Sequence, residues 1–134
     1  MTGKIKVLAV DDDEFNLDIM TGYLEAEGFE VITAGNGDRA LHSLQTIPDI
    51  ELVILDRMMP DMSGMEVLEK IKEIPGLKRI PVIMQTAAAG TDQVSQGIEA
   101  GAYSYLTKPY EDSALIGIIK AALKNSACTK ELHK

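Results

Sequence analysis

VILDRMMPDMSG, residues 53–64, drives a run of branched apolar residues straight into a carboxylate. Val53, Ile54 and Leu55 complete the segment ELVIL (51–55), Asp56 follows at once, and Pro60 and Gly64 then break regular structure. Apolarity here is continuous rather than alternating, the pattern of a parallel strand buried on both faces. Four more runs bounded by turn signals share that character: IKVLAV (5–10), EVITA (30–34), PVIMQT (81–86) and YSYLT (103–107).

Helix-length segments separate the runs. Residues 14–27 set Leu17, Met20 and Leu24 on one face, and residues 64–74 set Val67, Leu68, Ile71 and Ile74 together. Ser63 and Glu66 match a capping box at the start of the latter. Residues 111–124 align Leu115, Ile118, Ile119 and Ala122, with Ile116 and Leu123 widening the core-facing stripe. Segments 37–46 and 91–100 carry fewer anchors, with Asn36-Gly37 and Thr91 as their starts. Strand and helix thus alternate five times, which predicts an α/β fold: a doubly wound, flavodoxin-like five-stranded parallel sheet in the order 2-1-3-4-5 with five helices. Residues 125–134, NSACTKELHK, lack periodicity and read as a tail or the start of a linker, leaving 1–124 as the domain.

The composition narrows the function classes. The chain has 134 residues, the size of one domain, and its net charge of -8 disfavours nucleic-acid phosphates and anionic lipid as partners. Its single cysteine, Cys128, excludes an internal disulfide, and no His/Cys spacing suggests zinc. The N-terminal apolar run ends at three aspartates, too early for a signal peptide, and no run is long enough to span a membrane. A cytoplasmic location is expected.

In a sheet of this order the ligand crevice lies at the carboxyl ends of the strands. The first strand ends at Asp11-Asp12-Asp13, the third at Asp56 and the fourth at Thr86, while Lys108-Pro109 follows the fifth. Carboxylates gathered on one rim repel one another unless a cation neutralises them. Oxygen donors without His or Cys select a hard ion such as Mg2+. A cation, a carboxylate nucleophile, a lysine and a hydroxyl are the parts of a phosphoryl-transfer site, and a carboxylate can itself become an aspartyl phosphate. Each residue alone has an ordinary structural explanation; the combination at four strand ends carries the reading.

Through VLAVDDD (7–13), VILDRMMPDMSG (53–64), PVIMQTA (81–87) and GAYSYLTKPY (101–110), the chain resembles the receiver domain of the bacterial two-component response regulators, of the single-domain chemotaxis and sporulation-regulator kind. The likeness covers residues 4 to about 124. It implies that Asp56 accepts a phosphoryl group from a phosphohistidine on a sensor histidine kinase or histidine phosphotransfer protein. It also implies Mg2+ held by Asp11, Asp12, Asp56 and the backbone carbonyl of Met58. Lys108 would pair with the phosphoryl oxygens, Thr86 would hydrogen-bond them, and Tyr105 would swing inward as Thr86 moves. Pro109 would follow a cis peptide bond. With Gly97 inside it, segment 91–100 is expected to be the element that moves on phosphorylation.

The chain departs from many relatives at Tyr103 and Ser104, where acids are common, and in the absence of arginine from its last helix segment. The arginine–acid dimer of many DNA-binding relatives is therefore not expected. Met58 and Ala88, at positions that tune phosphoryl lifetime, are uncharged. Two other readings fit parts of the pattern. A haloacid dehalogenase-like phosphohydrolase would use Asp11 as nucleophile and Asp13 as acid/base, but leaves Asp56 without a purpose. A degenerate receiver acting only as a binding module would not need the complete set Asp11, Asp12, Asp56, Thr86 and Lys108. The kinase, the downstream effector or fused output domain and the oligomeric state are not legible in the sequence.

Overall fold

The computed structural model describes residues 4–59, 62–86, 91–107 and 111–132. Its strands are β1 (Lys6–Val10), β2 (Glu30–Ala34), β3 (Ile50–Asp56), β4 (Val82–Thr86) and β5 (Ser104–Thr107). They form one parallel sheet in the expected order β2-β1-β3-β4-β5. Between and after them run α1 (Glu14–Ala26), α2 (Gly37–Thr46), α3 (Gly64–Glu73), α4 (Thr91–Glu99) and α5 (Asp112–Leu132).

The unbroken apolar runs acquire a physical reason in the two cores. Leu8 and Val10 of β1 and Val53 and Leu55 of β3 face one cluster, closed by Ala40 and Leu44 of α2 and Val67, Leu68 and Ile71 of α3. The alternate residues Val7, Ala9, Leu52 and Ile54 face the other, closed by Leu17, Met20 and Leu24 of α1 and Leu115, Ile119 and Ala122 of α5. Each side of the strand must be apolar because each side meets a helix layer, and every fully buried large side chain stabilises the fold by about 1.5–3 kcal/mol. Ile116 and Leu123 are half-buried against the second cluster, so they do widen the core face.

The helix starts follow their capping residues. Asp13 accepts from the Phe15 amide at 2.9 Å, Asn36 from the Arg39 amide at 2.9 Å and Ser63 from the Glu66 amide at 3.3 Å. At the far end, α5 continues to Leu132, whereas the loss of periodicity predicts a tail or linker from residue 125. Residues 125–132 contain neither glycine nor proline, and Ala127, Lys130, Glu131 and Leu132 are strong helix formers, so nothing in the local sequence stops the helix.

Below the sheet, Lys72 of α3 ties down the connection to β4. Its ammonium donates to the carbonyls of Lys78 at 3.0 Å and Ile80 at 3.4 Å. Burial pushes its pKa down, since desolvation disfavours the charged form. The same side chain passes beneath Gly101, whose φ of +114° suits only glycine and where a Cβ would meet the Lys72 Cε at 2.9 Å.

Candidate functional site

Parallel register brings the carboxyl ends of β1 and β3 side by side, with Val10 opposite Leu55. Asp11 is the residue after β1, whereas Asp56 is the last residue of β3 itself and pairs with Gln85 of β4. Asp56 is therefore held by the sheet rather than by a loop. Its side chain is buried, only 4% exposed, and its Oδ1 accepts from the Met58 amide at 3.2 Å. Gly64 explains how the chain after β3 can return so closely: a Cβ there would overlap the Asp56 carbonyl oxygen and lie 2.7 Å from the Arg57 Cα. The Gly64 amide instead donates to the Arg57 carbonyl at 2.9 Å, and the Arg57 amide donates to the Gln85 carbonyl at 2.9 Å.

Asp11 is also buried, and its carboxylate is held on three sides. The Asp13 amide donates to Oδ1 at 2.9 Å, while Gln85 Nε2 and Asn16 Nδ2 lie 3.4 and 3.5 Å from Oδ2. Asp12 by contrast is exposed. Carboxylate oxygens of Asp11, Asp12 and Asp56 all lie within 4.8 Å of one another. Two buried carboxylates and one facing solvent suit a hard divalent ion that keeps part of its hydration shell. The residues present fit the expected Mg2+.

Thr86 closes β4 one residue past the partner of Asp56 and is buried at 2% exposure. It thus lies on the strand neighbouring the carboxylate, on the same rim. Tyr105 of β5 is half-buried; its hydroxyl is hydrogen-bonded to Arg57 Nη1, and its ring packs at the edge of the α2–α3 core. The Met58 side chain is 69% exposed. Lys108 and Pro109, with Pro60 and Ala88, lie outside the described residues.

Two participants were not singled out from sequence. Gln85 lies inside the apolar run 81–86, yet it is a fully buried polar residue, with its amide reaching Asp11. A polar side chain one place before the end of an otherwise apolar central strand was its signal. Arg57 carried no local pattern at all. Asp13, the acid/base of the hydrolase reading, is instead occupied in capping α1.

The sequence pattern of the response regulator receiver domain matches residues 7–120. The chain is 38% identical over 130 residues to response regulator PleD of Caulobacter vibrioides, covering 96% of this chain and 28% of PleD. It is 42% identical over 122 residues to the transcriptional regulatory protein CpxR homolog of Haemophilus influenzae, covering 91% and 52% of the two chains. The chain thus spans about half or less of these curated relatives. Among solved structures, the CheY-like response regulator receiver domain protein of Methanospirillum hungatei JF-1 superposes with a TM-score of 0.88 at 31% identity, over 95% of this chain and 99% of the other. The acidic rim, the strand order and these likenesses converge: the chain belongs to the receiver domains of two-component response regulators.

Proposed function

We propose that Asp56 is the phosphoacceptor and that the chain moves a phosphoryl group from a phosphohistidine onto it in a Mg2+-dependent reaction. The observation that carries this reading is the meeting of Asp11, Asp12 and Asp56 within 4.8 Å at the ends of β1 and β3, with Asp56 buried on the sheet. An Asp56 carboxylate oxygen forms the new bond to phosphorus as the phosphorus–nitrogen bond to the donor imidazole breaks. The electron pair leaves with the imidazole, which takes up a proton.

Asp11, Asp12, Asp56 and the Met58 backbone carbonyl are the proposed protein ligands of the ion. When bound, Mg2+ supplies charge neutralisation for the rim and for the phosphoryl oxygens. The Met58 amide donates to Asp56 Oδ1 and so limits the rotation of the carboxylate that attacks. In this reading Thr86 donates its hydroxyl to the phosphoryl group, Lys108 pairs with it by charge, Tyr105 follows Thr86, and Pro109 shapes the loop around Lys108.

The domain comprises residues 1–124, and residues 125–134 are a tail or the start of a linker, helical as far as Leu132. Its partners are a sensor histidine kinase or histidine phosphotransfer protein and a downstream effector or fused output domain. It acts as a signalling module in the cytoplasm rather than as a conventional enzyme, without direct contact to nucleic acid or membrane. The net charge of -8 supports the last point, and no described helix is long and apolar enough to cross a membrane. The phosphohydrolase built on Asp11 and Asp13 and the phosphorylation-incompetent binding module are not favoured.

Intact mass after incubation with Mg2+ and acetyl phosphate tests the reading. Wild type gains one phosphoryl group, Asp56→Asn gains none, and Asp11→Asn gains it much more slowly. Phosphate release that persists in Asp56→Asn would return the hydrolase. Neither adduct nor turnover in wild type would leave a binding module.

A further inference from the structure

Arg57, the residue after the proposed phosphoacceptor, joins three elements. Its guanidinium donates through Nη1 to the Tyr105 hydroxyl on β5 and through Nη2 to Gln96 Oε1 on α4 at 3.0 Å. Its backbone cannot follow the side chain, because its amide is held by Gln85 and its carbonyl by Gly64, both at 2.9 Å. The Tyr105 ring fits beneath α4 only because residue 97 is glycine: a Cβ there would overlap Cε2 and lie 3.1 Å from Cδ2 and Cζ. Gly97, which from sequence alone looked like a weak point in the helix, forms part of a socket for that ring.

We propose that Arg57 is a positioning residue, a latch that holds Tyr105 and α4 together in the unphosphorylated protein and lets go when Asp56 is phosphorylated. The release rests on the phosphoacceptor reading above; the latch itself does not. An arginine fork binds phosphate oxygens more strongly than neutral hydroxyl or amide oxygens, because both partners are then charged. Phosphorylation places about 1.5 to 2 negative charges one residue away from that fork. The guanidinium is drawn toward them, and the Tyr105 hydroxyl and the Gln96 amide oxygen are released together. Release by Arg57 then frees α4 and Tyr105 together, so that Tyr105 can follow Thr86, and the signal is delivered along a side chain anchored beside the reacting carboxylate.

Hydrogen exchange over residues 94–100, with 3-fluorotyrosine NMR of Tyr105 assigned through Tyr105→Phe, tests the latch. In the unphosphorylated protein, Arg57→Ala and Tyr105→Phe should each speed exchange about three- to tenfold, the range left to a charge-assisted hydrogen bond near solvent. The double variant should exceed neither single one, and Arg57→Lys should restore part of the protection. Gly97→Ala, which displaces the ring without touching a charge, should shift the Tyr105 resonance in the same direction as Arg57→Ala. With Mg2+ and acetyl phosphate, at equal phosphorylated fractions checked by intact mass, exchange should rise in wild type and stay level in Arg57→Ala. Unchanged exchange in unphosphorylated Arg57→Ala overturns the latch. An equal rise on phosphorylation in wild type and Arg57→Ala overturns its release. A wild type that forms no adduct overturns the phosphoacceptor reading, and the release with it, while the comparison of unphosphorylated proteins still decides the latch.

Discussion

Gly64 shows how one residue without a side chain can place another that has one. Its missing Cβ makes room for the Asp56 carbonyl and the Arg57 Cα, both backbone atoms that cannot rotate away. Gly64→Ala is therefore expected to cost about 1–3 kcal/mol, the usual range for overpacking a rigid site. It should also slow adduct formation by acetyl phosphate, because relief of the overlap must move Asp56 or the start of α3. Urea unfolding and intact-mass time courses check the two effects, and a variant as stable as wild type would refute the packing argument. The glycine was legible in the motif only as a turn signal. The acidic cluster of Asp11, Asp12 and Asp56 was legible because aspartates at strand ends are chemically conspicuous. Gln85 and Arg57 were not, since their roles depend on register and reach: Gln85 faces Asp11 across seventy-four positions and Arg57 meets Tyr105 across forty-eight.

At the scale of the element, β3 is the stiff mount on which the site depends. Leu52 to Leu55 are completely buried, alternating between the two cores. Ile54→Ala removes side-chain volume from the α1–α5 side and should lower stability by about 2–5 kcal/mol, read as a smaller midpoint in urea at unchanged slope. A loss under about 1 kcal/mol would mean that the core collapses into the gap. Strand and helix identities were legible because period and capping are local properties. The reach of α5 to Leu132 was not, because a polar, aperiodic stretch gives no burial signal even when its residues favour a helix. Lys72 offers a second test on α3. Its pKa is lowered by burial in the folded chain, so unfolding takes up protons in the alkaline range just below the ordinary lysine value of about 10.4. Stability contributed by this group therefore rises with pH across that window. The unfolding free energy of wild type minus that of Lys72→Met should increase from neutral pH to about pH 10.5, where the unfolded lysine also loses its charge. A difference that is flat or falls with pH would contradict the burial argument.

For the molecule as a whole, the acidic balance and the acidic rim pull in the same direction. A net charge of -8 makes the compact state repel itself, and three of the carboxylates responsible lie within 4.8 Å of one another. Any salt relieves the general repulsion by screening, but only an ion bound between Asp11, Asp12 and Asp56 acts on the folded state alone. Binding of that kind stabilises by RT ln(1 + [L]/Kd), about 1.4 kcal/mol when Mg2+ stands at ten times its Kd. For a chain of this length that amounts to a rise of several degrees in the unfolding midpoint. Mg2+ should therefore raise the midpoint of wild type well beyond NaCl at the same ionic strength. Asp11→Asn and Asp12→Asn should lose most of the excess. The two substitutions are expected to differ in the metal-free protein as well. Asn at 12 changes an exposed group, whereas Asn at 11 disturbs the bonds from Asp13 and Asn16 and the contact with Gln85. Asp11→Asn should accordingly lower the metal-free midpoint and Asp12→Asn leave it level or higher. Equal shifts from Mg2+ and NaCl in wild type would mean that the rim is merely acidic surface, and the metal reading of this site would fall with it.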